Sequence, residues 1–171
     1  SPGCMDSMVN KYTAARRLRS EDAYSPDGRH DLRPEYPTIV YTNILRQLFP
    51  DVPIVLGGIE ASLRRVMHYD YWQERFRPSI LCDCYADLIT YGMGEKPTLE
   101  LVRLLTDAID QSHPLLHYDE KGEACITRQL LREVGIANLK QTVTLWQKEE
   151  IPGGINNDDI VLHSYEECLK Q

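Results

Sequence analysis

PIVLGGIEASLRR, residues 53–65, decides the fold. Pro53-Ile54-Val55-Leu56 is a continuous apolar run, the pattern of a strand buried on both faces of a parallel sheet. Gly57 and Gly58 follow, and a helical stretch from Ile59 to about Met67 comes next. The same succession recurs at Asp87-Leu88-Ile89-Thr90-Tyr91, then Gly92-Met93-Gly94-Glu95, then a helix through Leu101, Val102, Leu105, Ala108 and Ile109 with Pro97 near its first turn. Two strand–glycine–helix units predict an α/β fold, a partial doubly wound parallel sheet with helices on both faces. In such sheets the turns lie at the carboxyl ends of the strands, where helix N-termini offer free N–H groups to ligands. The two strands are therefore expected side by side, with both glycine turns on one rim.

Upstream, Pro37 suits a first helical position, and Ile39, Val40, Ile44, Leu45 and Leu48 extend a helix that ends before Pro50. Residues 21–36 are rich in Asp, Pro and Gly without a period, so a long connection is predicted, with a turn at Ser25-Pro26-Asp27-Gly28. Ahead of it, Met8, Tyr12, Ala15 and Leu18 fall at helical spacing opposite Lys11, Arg16, Arg17 and Arg19, which predicts one helix with Asp6 as its cap. Downstream of Gln111, a short helix is expected over Ile126–Val134, ending at Gly135, and strands over Gln141–Gln147 and Asp159–His163. Pro152-Gly153-Gly154 and Asn156-Asn157 mark a turn between those strands. The expected organisation is a Rossmann-like α/β domain over residues 1–112 and an α+β appendage over 113–171.

A chain of 171 residues with 42% hydrophobic and 26% charged residues supports one core, and its mean hydropathy of -0.41 comes with no apolar run of membrane length. The net charge of -7 is uneven: residues 1–77 carry 11 basic and 10 acidic side chains, residues 78–171 carry 8 and 16. That balance argues against charge-driven nucleic-acid binding, which needs many Lys and Arg on phosphates. Cys4, Cys82, Cys84, Cys125 and Cys168 are odd in number and irregular in spacing, and no charged-then-apolar leader precedes them, so a reducing cytoplasm is expected. The opening SPGCMDSMVN has no initiating Met and reads as a piece of a longer protein.

Within GGIEASLRR (57–65) the paired glycines allow close backbone approach to a ligand, or simply make a tight strand-to-helix turn. GxGxxG and GxxxxGK[ST] are both absent, which leaves familiar dinucleotide and triphosphate binding unsupported. HYDYW (68–72) sets His68 and Asp70 among aromatics and near Arg64, Arg65, Arg75 and Arg77. It reads either as a grip on an anionic or aromatic ligand or as a helix-to-loop corner in which Asp70 pairs an arginine. Cys82-Asp83-Cys84 lacks the ligand spacing of zinc or iron–sulfur sites, and His30, His68, His113, His117 and His163 are scattered, so no metal site and small buried thiols are predicted. No catalytic signature stands out.

MDSMVNKYTAARRLRSEDAYSPDG (5–28), GGIEASLRRVMHYDYWQERFRPSIL (57–81) and ADLITYGMGEKPTLEL (86–101) closely resemble the YgiQ-type family of radical S-adenosylmethionine (radical SAM) proteins. The likeness covers about residues 4–110 and is weaker beyond, where DIVLHSYEECLK (159–170) resembles the family's approach to its catalytic domain. The resemblance implies a flavodoxin-like, cobalamin-binding-like α/β domain ahead of a partial TIM barrel. That barrel's CxxxCxxC would hold a [4Fe–4S] cluster open to S-adenosylmethionine. This chain has no CxxxCxxC, lacks the family's opening strands and contains no DxHxxG cobalamin motif. By resemblance the cluster and S-adenosylmethionine belong to the full-length parent, the partner is the radical SAM barrel of the same polypeptide acting on an unknown substrate, and residues 1–171 alone are catalytically silent and hold no cofactor. Gly57, Gly58, Glu60 and Ser62 match the first turn of the family's module, and Gly92, Gly94 and Glu95 its GEGE-like second turn. The alternative expectations are a non-catalytic module binding a small anionic ligand or a partner, and an interaction surface on the acidic segment 113–171.

Overall fold

The computed structural model describes residues 7–154 and 162–170. In chain order its elements are α1 (Ser7–Lys11), α2 (Pro37–Leu48), β1 (Val55–Leu56), α3 (Gly58–Leu63), β2 (His68–Asp70), β3 (Arg75–Arg77), α4 (Ile80–Asp83), β4 (Leu88–Thr90), α5 (Glu95–Asp110), β5 (His117–Tyr118), β6 (Ala124–Cys125), α6 (Arg128–Glu133), β7 (Thr142–Thr144) and α7 (Tyr165–Cys168). The main sheet has the order β1-β4-β7, with β1 parallel to β4 in the register Val55 to Leu88 and Leu56 to Ile89, and β7 antiparallel to β4. It is a small mixed sheet. The C-terminal segment contributes its third strand, since Gln141–Gln147 holds a strand at Thr142–Thr144.

β4 is central, and the alternation of a strand sends its successive side chains to opposite faces. Ile89 packs with Leu56, Ala61, Ile80, Leu81 and Cys84, so α3 and α4 cover that face. Leu88 packs with Leu101, Leu131 and Ile136, so α5 and α6 cover the other. Leu88 and Ile89 are fully buried, each side chain worth roughly 1.5–3 kcal/mol of apolar burial. β1 differs from expectation: Leu56 is buried but Val55 is 42% exposed, because β1 is an edge strand among the described residues.

α2 begins at Pro37 and ends at Leu48, as its flanking prolines require, but its buried residues are Pro37, Thr38 and Thr42, and Ile44, Leu45 and Leu48 of the expected apolar set are exposed. Arg46 near its end donates to the carbonyls of Pro50, Val52 and Tyr85 and to Asp87 Oδ2 at 2.6 Å. Asp87 Oδ2 also accepts from Ile54 N at 2.9 Å, and Oδ1 accepts from Arg128 Nε at 2.6 Å. One buried carboxylate thus fastens α2, the approach to β1 and α6 at the start of β4.

The predicted N-terminal helix is cut short at Lys11, and Tyr12 bridges to Leu18 in an antiparallel turn. Arg19 explains the stop: its Nε donates to the carbonyls of Val9 and Tyr12, satisfying helix-terminal acceptors. Arg16, at φ +58°, pairs with Glu74 at 2.5 Å and lies over the Tyr71 ring, contacts far in sequence that outweigh local helical spacing. The Ser-Pro-Asp-Gly turn is present as one 3-10 turn at Pro26–Gly28, with Asp27 and Gly28 at positive φ.

The helix expected over 59–67 ends at Leu63, and HYDYW opens an antiparallel hairpin, β2 with β3, in place of a helix-to-loop corner. Asp70 drives that turn by accepting from Trp72 N and Gln73 N at 2.9 and 3.1 Å. Downstream, Thr127 caps α6 through Leu130 N, and Gly135 follows its end at φ +89°. The Pro152-Gly153-Gly154 turn is present, with both glycines at positive φ. α7 returns to the β2–β3 hairpin, Tyr165 donating its hydroxyl to Phe76 O at 3.0 Å. Asp6 and Cys4, the Asn156-Asn157 turn and most of the strand expected over Asp159–His163 lie outside the described residues.

Candidate functional site

Both parallel strands run into glycine turns at the same end of the sheet, as the paired strand–glycine–helix units predicted. β1 passes through Gly57 and Gly58 into α3, and β4 passes through Tyr91 to Gly94 into α5. Thr90, buried at the end of β4, stands between the turns. A Cβ on Gly57 would lie 3.3 Å from Thr90 Oγ1, and one on Gly94 would lie 3.8 Å from the same atom. The Thr90 hydroxyl donates to Leu56 O at 3.4 Å and so ties the two strand ends together. Sequence reasoning passed over Thr90, although its place as the last strand residue before a glycine turn could have marked it.

Gly58 has φ +88° and Gly92 φ +69°, a backbone region that β-branched residues enter only with strain. Gly58→Val is therefore expected to cost roughly 1–3 kcal/mol. Gly58→Ala should cost less, and urea unfolding of the two variants checks the order. The third wall of the rim comes from the C-terminal segment: Gln141 O accepts from Tyr91 N at 3.0 Å, and Gln141 Nε2 lies 3.4 Å from a Cβ position on Gly92. Arg65 stacks over the Tyr91 ring, 4.6 Å from its centroid, and donates to Ser62 O. Among the described residues no carboxylate pairs with it. Gly92, Met93 and Glu95 are exposed, and Glu95 places negative charge in the first turn of α5, where the helix dipole favours it.

The remaining candidates take other positions. Glu60 is buried, accepts from Thr38 Oγ1 at 2.6 Å and faces Arg64 at 3.8 Å, which binds α3 to α2. Ser62 donates its hydroxyl to Gly58 O at 2.7 Å within its own helix. Asp70 is buried and accepts from Tyr36 in addition to its two turn amides; burial and then Asp70 push the Tyr36 hydroxyl up to about 12. Arg64 lies over the Tyr36 ring, 5.6 Å from its centroid, so Asp70 belongs to a packed polar network. His68 Nδ1 meets Val66 O at 3.2 Å, and its pKa is lowered, first by burial.

Among the described residues, no group of three or more His, Cys, Asp or Glu is placed to hold a metal ion. Cys84 is buried, but Cys82 is exposed at the surface of α4, contrary to the expectation of two buried thiols. Partial burial and then Asp83 push the Cys82 thiol up, and burial is likewise the leading cause for Cys84. No helix among the described residues is long and apolar enough to cross a membrane.

No solved structure matches the chain. A UPF0313 protein of Bacteroides thetaiotaomicron is 53% identical over 169 residues, which is 99% of this chain and 25% of the relative. UPF0313 proteins of Porphyromonas gingivalis and Geobacter sulfurreducens are 68% and 59% identical over 61% and 60% of this chain, and 17% of each relative. The chain thus spans about a quarter or less of the curated relatives it matches. The profile described as radical SAM N-terminal matches residues 1–171. With its length matched from end to end, in agreement with the resemblance in the sequence, the chain belongs to the radical SAM N-terminal family.

Proposed function

We propose that this chain is an accessory α/β module of a radical SAM iron–sulfur enzyme, which presents the rim around Thr90 to the catalytic barrel of the same polypeptide. The sheet belongs in this reading to a doubly wound, cobalamin-binding-like architecture. One observation carries it: two parallel strands deliver Gly57-Gly58 and Gly92–Gly94 to the two sides of one buried hydroxyl. Family membership and the greater length of the relatives support it.

The described residues do not fit a [4Fe–4S] cluster, because its thiolate ligands are not gathered here. Nor do they match the axial-ligand motif of cobalamin domains, since no DxHxxG is present and His68 Nδ1 is engaged by the Val66 carbonyl at 3.2 Å. Cluster and S-adenosylmethionine are therefore assigned to the remainder of the polypeptide, and this chain shapes an entrance without performing chemistry. The test is anaerobic reconstitution of the full-length protein with iron, sulfide, a strong reductant and S-adenosylmethionine. Release of 5′-deoxyadenosine and methionine is expected, and a cluster-free protein that releases neither overturns the reading.

A second reading, a binding module without enzymatic role, is favoured by Arg65, a half-buried residue beside the rim with an aromatic ring but, among the described residues, no carboxylate against it. Titration of the cluster-free full-length protein with inorganic phosphate tests it. Saturable heat that disappears in Arg65→Ala supports a bound anion, and no heat overturns it.

A further inference from the structure

We propose that the groove between α5 and the 3-10 turn Ile136–Asn138, which follows α6, binds a free α-amino acid with an apolar side chain. Glu100 takes its ammonium group and Arg103 its carboxylate. The inference uses none of the residues of the rim and does not depend on the chemistry proposed above.

The groove measures about 390 Å³, within the roughly 300–1,000 Å³ of small-molecule sites. Its floor is apolar: Leu104 comes from α5, and Val134 and Leu139 flank the turn and pack against the same core as Leu88. Gly135, at φ +89°, carries the chain from α6 into the turn without a side chain, and a Cβ there would meet nothing within 4 Å, so that wall stays open. Glu100, Arg103 and Leu104 share one face of α5 through their spacing of three and four residues. Glu100 and Arg103 are exposed and opposite in charge, yet they do not pair with each other. Among the described residues neither side chain has a hydrogen-bond or ion-pair partner, and the same holds for the Asn138 amide on the facing wall.

The choice of ligand follows from charge and shape. An apolar floor with one anion and one cation beside it complements a molecule that carries an ammonium, a carboxylate and an aliphatic chain, and a free α-amino acid has all three on one carbon. A peptide interior carries neither charge, and a chain terminus carries one alone. The Arg103 fork matches a carboxylate with two parallel hydrogen bonds, and the Glu100 carboxylate accepts from an ammonium. Asn138 has a further amide to offer the ligand's carboxylate. The groove is open to water, which screens either contact taken singly, so preference comes from making both at once. A polar side chain would be left without a partner against Leu104, Val134 and Leu139, which selects an aliphatic one.

The experiment is calorimetric titration of the full-length protein with L-leucine, and with three relatives of it: N-acetyl-L-leucine, which has no ammonium, L-leucinamide, which has no carboxylate, and glycine, which has no side chain. L-leucine is expected to give saturable heat at on the order of millimolar concentration, the scale for a ligand of so few atoms. Each relative should bind about tenfold more weakly or worse. Glu100→Gln and Arg103→Gln, both at exposed positions, should each weaken L-leucine by a similar factor. Arg103→Gln should leave L-leucinamide as it was, and Glu100→Gln should leave N-acetyl-L-leucine as it was, because each variant removes a contact that its analogue never made. No saturable heat with L-leucine overturns the proposal, as it would if another part of the polypeptide fills the groove. Equal binding of N-acetyl-L-leucine or L-leucinamide also overturns it, and so does L-leucine binding undiminished in both variants, which places the ligand elsewhere. The comparison of the four ligands on the unaltered protein decides the matter even if a variant fails to fold.

Discussion

Asp87→Ala is expected to destabilise the α/β unit by about 3–5 kcal/mol, the usual loss when one partner of a buried ion pair is removed. The Asp87 side chain is 4% exposed and takes Arg46 on one oxygen and Arg128 on the other. Without it, Arg46, whose own side chain is 11% exposed, keeps only carbonyl acceptors, and Ile54 N loses its carboxylate partner. In a unit of this size each kcal/mol moves the melting temperature by about 2–4 °C, so a fall on the order of 10 °C is anticipated. Arg128→Ala should be milder, on the order of 1 kcal/mol or less, because that side chain is 39% exposed and solvent screens it. Urea unfolding of the full-length protein, followed through a probe in this unit, measures both. An Asp87→Ala loss no larger than that of Arg128→Ala would refute the hub.

The second large effect is expected at Ile89. Ile89→Ala should cost about 2–5 kcal/mol, combining lost burial with a cavity that a strand held between two helical layers cannot collapse to fill. Ile89→Val, which removes a single methylene, should cost about 0.5–1.5 kcal/mol. The side chain is fully buried against Leu56, Ala61, Ile80, Leu81 and Cys84, so the loss falls on the layer that holds α3 and the Gly57-Gly58 turn in place. Hydrogen exchange in the full-length protein should quicken over residues 56–64 in Ile89→Ala. Unchanged exchange there, or a stability within about 1 kcal/mol of wild type, would contradict the packing described.

Much of this architecture was legible because it is local. Pro37 fixes a backbone angle suited to a first helical turn, and Pro50 forbids continuation, so α2 could be bounded from its own residues. Gly58 and Gly92 both occupy positive φ, which their places after apolar strand residues foreshadowed. Contacts distant in sequence were not legible. The stripe Met8, Tyr12, Ala15, Leu18 has helical spacing, yet Arg16 and Tyr12 meet Glu74 and Trp72 more than 50 residues away. Glu60 and Asp70 are polar residues beside a candidate site, but the hydroxyls of Thr38 and Tyr36 claim them for the interior. Spacing along one strand or helix cannot reveal which far residue supplies the other half of a hydrogen bond.

The sequence by itself determined that two apolar strands each enter a glycine turn and a helix, and that the chain resembles the YgiQ-type radical SAM proteins, in agreement with its membership of the radical SAM N-terminal family. Only the tertiary structure decided that Thr90 ties the two strand ends together, that Asp87 locks three segments together, and that Thr142–Thr144 closes one side of the sheet while β1 has no second neighbour among the described residues. The physical reason is range. Backbone angles and apolar periodicity are properties of neighbouring residues, whereas the pairing of β4 with β7 and the Arg46–Asp87 ion pair exist only after segments more than 40 residues apart have been brought into contact.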